Sequence, residues 1–357
     1  MRVCNYLELE DRLARAGIGS AADQQRAALE RAGDVEVLTS PWRGGSPVGA
    51  ARSLLAGEGA FRGYDVAHCN LIGPGSVAVA RHARRTGRPL VLHAHVTRED
   101  FAGSFRGSTT VAPALGRYLR WFYSQADLVL CPSEYTRGLL REYPVDAPIE
   151  PVTNGVDRDA LAGHEEFRDE YRERYGLEDT VVFAMGNVFE RKGLETFCRL
   201  AETTDYEFAW FGTYDTGPHA SPVVRERVKN PPPNCTFTGW IEDRRGAFGA
   251  GDVFCFPAHE ENQGIVVLEA MATGNPVIAR DIPVFREYFT DGEDCLLCAT
   301  DDEFRAALER VTTDADLRAD LVAGGYETAA AHDLERVGEE LRGHYETARD
   351  LAAERGD

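Results

Sequence analysis

The sequence predicts an α/β protein of two doubly wound, Rossmann-like domains, each a parallel sheet covered by helices on both faces. Three observations carry that prediction. Short apolar runs alternate with segments of helical spacing along most of the chain, the alternation is interrupted once by a charge-dense stretch, and 357 residues suffice for two domains of ordinary size.

In the first half, residues 66–69, 89–93 and 128–131 read as buried strands, with helical segments at 76–86 and 112–124. The polar stretch 157–178 follows, and after position 175 the pattern restarts. Runs 180–185, 207–211, 235–237, 253–256 and 276–279 read as strands, with helices such as 194–203 and 265–273 between them. Residues 1–160 therefore form one domain and 161–330 a second. The charged helix 332–355, within 331–357, either caps the second domain or crosses back to the first, and the pattern leaves both open. Open α/β sheets bind ligands at the carboxyl ends of their strands, so the expected site is the cleft between the domains.

Composition narrows the partners. Asp and Glu number 59 against 39 Lys and Arg, a net charge of −20, and only Lys192 and Lys229 among the basic residues are lysine. An acidic, nearly lysine-free surface suits a salt-accumulating cell such as a haloarchaeon, where a short Debye length screens repulsion between carboxylates. A GC-rich genome accounts for arginine replacing lysine but not for the acidic excess. No nucleic-acid partner is expected. The start, Met1-Arg2-Val3-Cys4-Asn5, lacks the apolar core of a signal peptide, and no run approaches the ~20 apolar residues of a membrane span. The eight cysteines lie mostly in apolar runs and read as buried thiols of a reducing compartment; Cys295-Leu-Leu-Cys298 is a lone CxxC, too little for a metal centre. A cytoplasmic location follows.

The densest chemistry is Glu260-Glu261-Asn262-Gln263-Gly264-Ile265-Val266-Val267-Leu268-Glu269, directly after strand 253–256. Gly264 stands where a helix starts, and a helix N-terminus offers backbone N–H groups to a diphosphate. Carboxylates at Glu261 and Glu269 can each accept hydrogen bonds from a sugar diol, and if helical their offset spans at most ~12 Å. On spacing alone, two solvent-facing glutamates of an acidic chain are equally good.

Glu261-x7-Glu269-Ala-Met-Ala with Gly274-Asn275-Pro276 resembles the donor-site signature of glycosyltransferase family 4, a retaining group with the two-domain GT-B fold. Gly186-Asn187-Val188-Phe189-Glu190-Arg191-Lys192-Gly193, Asn154-Gly155-Val156-Asp157 and Asp291-Gly292-Glu293-Asp294 match in the expected order. Stretches such as Val228-Lys229-Asn230-Pro231-Pro232-Pro233-Asn234 and Arg280-Asp281-Ile282-Pro283-Val284 are similar to bacterial glucosyl-diacylglycerol synthases and the enzymes that add a second hexose. Ala16-Gly17-Ile18-Gly19-Ser20 departs from the family's usual Gly-Gly pair and resembles the second-hexose enzymes.

The resemblance implies roles. Arg191 and Lys192 neutralise the leaving diphosphate, Glu261 holds hydroxyls of the transferred hexose and Glu269 the nucleotide ribose. Asn187, Gly264, Ile265 and Val266 contact the donor, and Gly17 and Gly19 let a first-domain loop approach the diphosphate. His95, in Leu92-His93-Ala94-His95, contacts the sugar; the HxH pair also invites a zinc reading, but no third ligand is near in sequence. The mechanism implied is same-face displacement on a nucleotide-diphosphate sugar, with no metal and no other cofactor.

The acceptor side is marked by a local charge reversal. Arg81, Arg84, Arg85, Arg88, Arg98, Arg106, Arg117 and Arg120 face only Glu99 and Asp100 between positions 81 and 123. Leu115-Gly116-Arg117-Tyr118-Leu119-Arg120-Trp121 sets aromatics beside arginines on one helix, as suits an anionic membrane surface; a core-packed helix with snorkelling arginines fits the pattern equally. The expected function is hexose transfer to a lipid or glycolipid, archaeol-based in a halophilic archaeon, by a peripheral protein on the inner membrane face. The alternatives are transfer to a polyprenyl-linked glycan or exopolysaccharide, a non-catalytic sugar-binding protein, and a sugar-nucleotide epimerase.

Overall fold

The computed structural model describes residues 1–98, 108–142, 145–217 and 220–356. They divide into two compact units. Unit 1 holds Met1–Arg98, Ala112–Asn154 and the helix Leu334–Gly356, and unit 2 holds Gly155–Asp333.

Unit 1 is built on a parallel sheet of β1 (Arg2–Tyr6), β2 (Glu36–Leu38), β3 (Val66–Cys69), β4 (Leu90–His93), β5 (Leu128–Cys131) and β6 (Ile149–Pro151), ordered β2-β1-β3-β4-β5-β6. Successive strand residues face opposite sides. Val3, Val66, Val91 and Leu128 join a core under the helices Gly17–Arg31 and Leu334–Gly356. Cys4, Ala67, Leu92 and Val129 join the opposite core under Pro74–Arg85 and Ser108–Tyr123.

The C-terminal helix therefore belongs with the first sheet. Leu334, Val337, Leu341, Tyr345 and Ala348 recur at helical spacing on its buried side. At Gly338 a Cβ would lie 2.2 Å from the Ala28 carbonyl oxygen, so the two helices run backbone against backbone there.

Unit 2 repeats the design with β7 (Val181–Met185), β8 (Glu207–Phe211), β9 (Cys235–Gly239), β10 (Val253–Phe256), β11 (Val277–Arg280) and β12 (Leu296–Cys298), ordered β12-β11-β10-β7-β8-β9 and parallel throughout. The winding direction reverses between β1 and β3 in unit 1 and between β7 and β10 in unit 2, which opens a crevice at the carboxyl end of each sheet.

The polar stretch 157–178, read as a divider, is part of unit 2: its helix Arg168–Tyr175 turns Arg168 and Arg172 onto the Asp252 carboxylate, at 2.7 and 2.5 Å. All eight cysteines are free and buried. No helix among the described residues is long and apolar enough to cross a membrane.

Candidate active site

At the reversal in unit 2, β7 ends at Met185, Gly186 (φ +122°) follows, and the chain runs into the short 3-10 turn Glu190–Lys192. Beside it, β10 is followed by the loop 257–263 and the helix Ile265–Ala272. One main-chain and one side-chain hydrogen bond lock the two loops together. The His259 N–H donates to the Arg191 carbonyl at 2.7 Å, and Arg191 Nη1 donates to the Glu260 carbonyl at 3.0 Å. Gly193 (φ +80°) permits this approach, because a Cβ there would lie 2.1 Å from the Pro257 carbonyl oxygen.

The locked loops bring three charges to one point. The Lys192 ammonium bonds to Glu261 Oε1, and Arg191 Nη1 stands 3.7 Å from the same oxygen. Lys192 also lies over the Phe256 ring, 5.0 Å from its centroid. The three side chains are only 10–16% exposed, so each charge acts in a medium less polar than water. The cluster sets two cations beside the Glu261 carboxylate, an arrangement able to take up an anion.

Gly264 (φ +86°) starts the neighbouring helix without a side-chain cap, and a Cβ there would lie 2.7 Å from Phe285 Cε1. The first turn presents the backbone of Ile265 and Val266, both half-buried, at the positive end of the helix dipole. Glu261 precedes this helix and Glu269 lies within it, on either side of the start that the sequence places at Gly264. Glu269 is buried and paired with Arg244, Nη1 to Oε1 2.5 Å. Burial pushes its pKa above the usual carboxylate range, against the pull of Arg244. Arg244 escaped the sequence reading because Arg244-Arg245 in a polar loop matches no motif. Asn187 is fixed by Thr213, whose hydroxyl donates to Oδ1 at 2.5 Å.

In unit 1, His95 follows β4 and lies among side-chain amides. Its Nε2 is 3.0 Å from Asn70 Oδ1 and 3.3 Å from Gln25 Nε2, and the neutral ring bonds with one or the other according to its tautomer; Asn70 Nδ2 donates to Asn5 Oδ1 at 2.9 Å and Asn5 Nδ2 to Gln25 Oε1 at 3.1 Å. The His93 ring lies parallel to it at 4.0 Å. Burial depresses the His95 pKa to about 3, so the imidazole is neutral at physiological pH.

Gly17 and Gly19 are not in a loop, which corrects the sequence reading: both lie in the first turn of Gly17–Arg31. Gly19 is required by packing, since a Cβ would lie 2.2 Å from the Leu13 carbonyl oxygen, whereas Gly17 has open space. On Ser108–Tyr123, Leu119, Phe122 and Tyr123 are buried while Arg117, Arg120 and Trp121 are exposed, the tryptophan at 43%. Glu99, Asp100 and Arg106 of the basic segment lie outside the described residues. Among those described, no group of three or more His, Cys, Asp or Glu could hold a metal ion.

Comparison with known proteins gives this geometry its context. Residues 14–160 match the family pattern described as Glycosyltransferase Family 4, and residues 178–314 match that of glycosyl transferases group 1. The processive diacylglycerol alpha-glucosyltransferase of Acholeplasma laidlawii is 31% identical over 352 residues, 97% of this chain and 98% of its own. Sucrose-phosphate synthase of Thermosynechococcus elongatus shares the fold at TM-score 0.76 and 18% identity, over 97% of this chain and 98% of its own. HepE of Anabaena, crystallised with UDP and glucose, does so at TM-score 0.70 and 18% identity, over 96% of this chain and 98% of its own. The two parallel six-stranded sheets are those of the GT-B fold. Near-complete coverage by a relative above 30% identity, with a family match in each half, settles the assignment: the chain belongs to glycosyltransferase family 4 and is a sugar-transferring enzyme.

Proposed function

We propose that the enzyme transfers a hexose, with retention, from a nucleotide-diphosphate sugar to a membrane lipid or glycolipid, as a peripheral protein on the inner face of the cell membrane and without a metal ion. The observation that carries this reading is the Arg191–Lys192–Glu261 cluster beside the start of Ile265–Ala272. Arg191, Lys192 and the backbone of Gly264, Ile265 and Val266 offset the charge that develops on the leaving diphosphate. Glu261 accepts hydroxyls of the hexose and Glu269 those of the ribose, with Asn187 beside the donor. Neutral His95 meets a sugar hydroxyl, and the helix start at Gly17 and Gly19 faces phosphate. In the transfer, the bond between the anomeric carbon and the diphosphate oxygen breaks as the acceptor oxygen bonds to the same face. The acceptor's proton passes to the departing phosphate oxygen.

Two observations support the choice of substrates. HepE binds UDP and glucose, and the Acholeplasma laidlawii relative is named for transfer to diacylglycerol. The exposed Arg117, Arg120 and Trp121 suit an anionic lipid surface, and the acidic composition points to an archaeol-type lipid in a salt-accumulating cell. The test is incubation with labelled nucleotide sugars and lipid extract at molar salt, followed by mass spectrometry. A diether lipid or glycolipid heavier by a hexose is expected. Label confined to a polyprenyl-linked or polysaccharide product would overturn the lipid assignment.

A further inference from the structure

Glu8 lies just beyond β1, at the reversal between β1 and β3. Its Oε2 accepts the backbone N–H groups of Gly75 (2.9 Å) and Ser76 (3.2 Å), in the first turn of Pro74–Arg85. The chain is shaped around that carboxylate. A Cβ at Gly73 would lie 2.3 Å from Oε2, and one at Gly75 would lie 3.0 Å from the carboxyl carbon. Oε1 makes no hydrogen bond among the described residues. The next residue, Leu9, is the only described non-glycine residue with positive φ (60°), a strained backbone of the kind found beside functional groups. The Tyr118 hydroxyl donates to the Ile72 carbonyl and so ties the helix bearing Arg117 and Trp121 to the loop that seats Glu8.

We propose that Glu8 binds the acceptor: Oε1 takes a hydroxyl of an uncharged, polyhydroxylated headgroup, a sugar or glycerol. A helix N-terminus at the carboxyl edge of a doubly wound sheet ordinarily attracts phosphate. Here the chain's own carboxylate occupies it, and a second anion would meet like charge, so phosphate headgroups are rejected. With Oε2 fixed by two backbone bonds, Oε1 is oriented before the acceptor arrives. The inference rests on the lipid reading above only for the class of molecule that carries the headgroup.

The Glu8→Gln variant separates acceptor binding from helix capping, because the amide oxygen still accepts both N–H bonds while a donor replaces the outward oxygen. Initial rates are measured with a monohexosyl diether lipid in vesicles, a soluble alkyl glucoside, and a polyprenyl monophosphate in detergent. KM for the first two is expected to rise about tenfold or more at unchanged donor KM, as for a lost bond to a charged group. Wild-type turnover on the polyprenyl phosphate is expected to be at least ~10-fold slower, with a narrower gap in the variant. KM does not depend on the folded fraction, so a loss of stability leaves the comparison intact. Unchanged acceptor KM, an equal rise in donor KM, or a wild-type preference for the phosphate would each overturn the proposal. If wild type uses the alkyl glucoside and no lipid, the lipid reading fails, and the glucoside KM alone decides the role of Glu8.

Discussion

Lys192 and Glu261, 69 residues apart in sequence, bond side chain to side chain between the loops that follow β7 and β10. One of the chain's two lysines is thus held where the winding of unit 2 reverses. Lys192→Ala and Glu261→Ala should each lower kcat by about 10²-fold or more, as removal of preorganised charge at a reacting centre does. Circular dichroism should remain that of the folded protein. Near-wild-type rates in both variants would remove the donor-site assignment.

If Glu269 holds the ribose as proposed, donor binding depends on pH with a definite sign. Burial raises its pKa and Arg244 opposes the rise, and only the ionised carboxylate is purely an acceptor for ribose hydroxyls. Donor KM should therefore increase as pH falls through a midpoint above the ordinary glutamate value. Arg244→Ala should move that midpoint higher and raise donor KM about tenfold. A midpoint that moved lower would contradict the pairing.

The stacked histidines make unit 1 acid-sensitive. Burial holds the His68 pKa near 3 and that of His93 well below its usual value. Below about pH 6.5 the unfolded chain takes up protons that the folded chain cannot, so stability falls as pH falls. Each group contributes at most about 1.4 kcal/mol per pH unit over that range. Urea midpoints at pH 7.5 and 5.5, at constant salt, should show the loss, and His68→Gln should lessen it.

Catalysis should survive EDTA. Arg191, Lys192 and a helix start offer the positive charge that a divalent ion supplies in other transferases. Loss of activity with chelator, restored by magnesium or manganese, would refute this.

Arg117→Glu combined with Trp121→Ala should release the protein from anionic diether vesicles by roughly 10²-fold at low salt, and less at molar salt, where the apolar part persists. Transfer to a soluble glycoside should fall far less. Equal losses on both acceptors would make the helix a part of the fold rather than a membrane contact.

What the sequence disclosed, and what it hid, follows from how each feature is encoded. Fully buried strands such as β4 and β10 announce themselves as apolar runs. The three-residue β2, β6 and β12 are too short for any periodicity, and β1 is broken by Arg2 and the buried Asn5. None of these four was read from the sequence. Glu261, Lys192 and Glu269 lie within contiguous motifs, whereas the pairing of Arg244 and the cluster of Asn5, Gln25, Asn70 and His95 exist only once distant strands are side by side. The family resemblance placed the glycines at 17 and 19 in a loop, and they begin a helix instead. Gly19 is there because the preceding turn leaves no room for a side chain.

The helix Leu334–Gly356 completes the core of unit 1 although the whole of unit 2 precedes it in the chain. During synthesis, unit 2 can therefore close while this face of the first sheet has only one of its two covering helices, Gly17–Arg31, and β4 and β5 with Val91 and Leu128 still await the other. A fragment of residues 1–154 would carry the β4–β5 part of that apolar face uncovered and should aggregate, whereas residues 155–333 hold a complete core of their own. Splitting this enzyme to study its halves thus requires joining the distant helix back onto the first half.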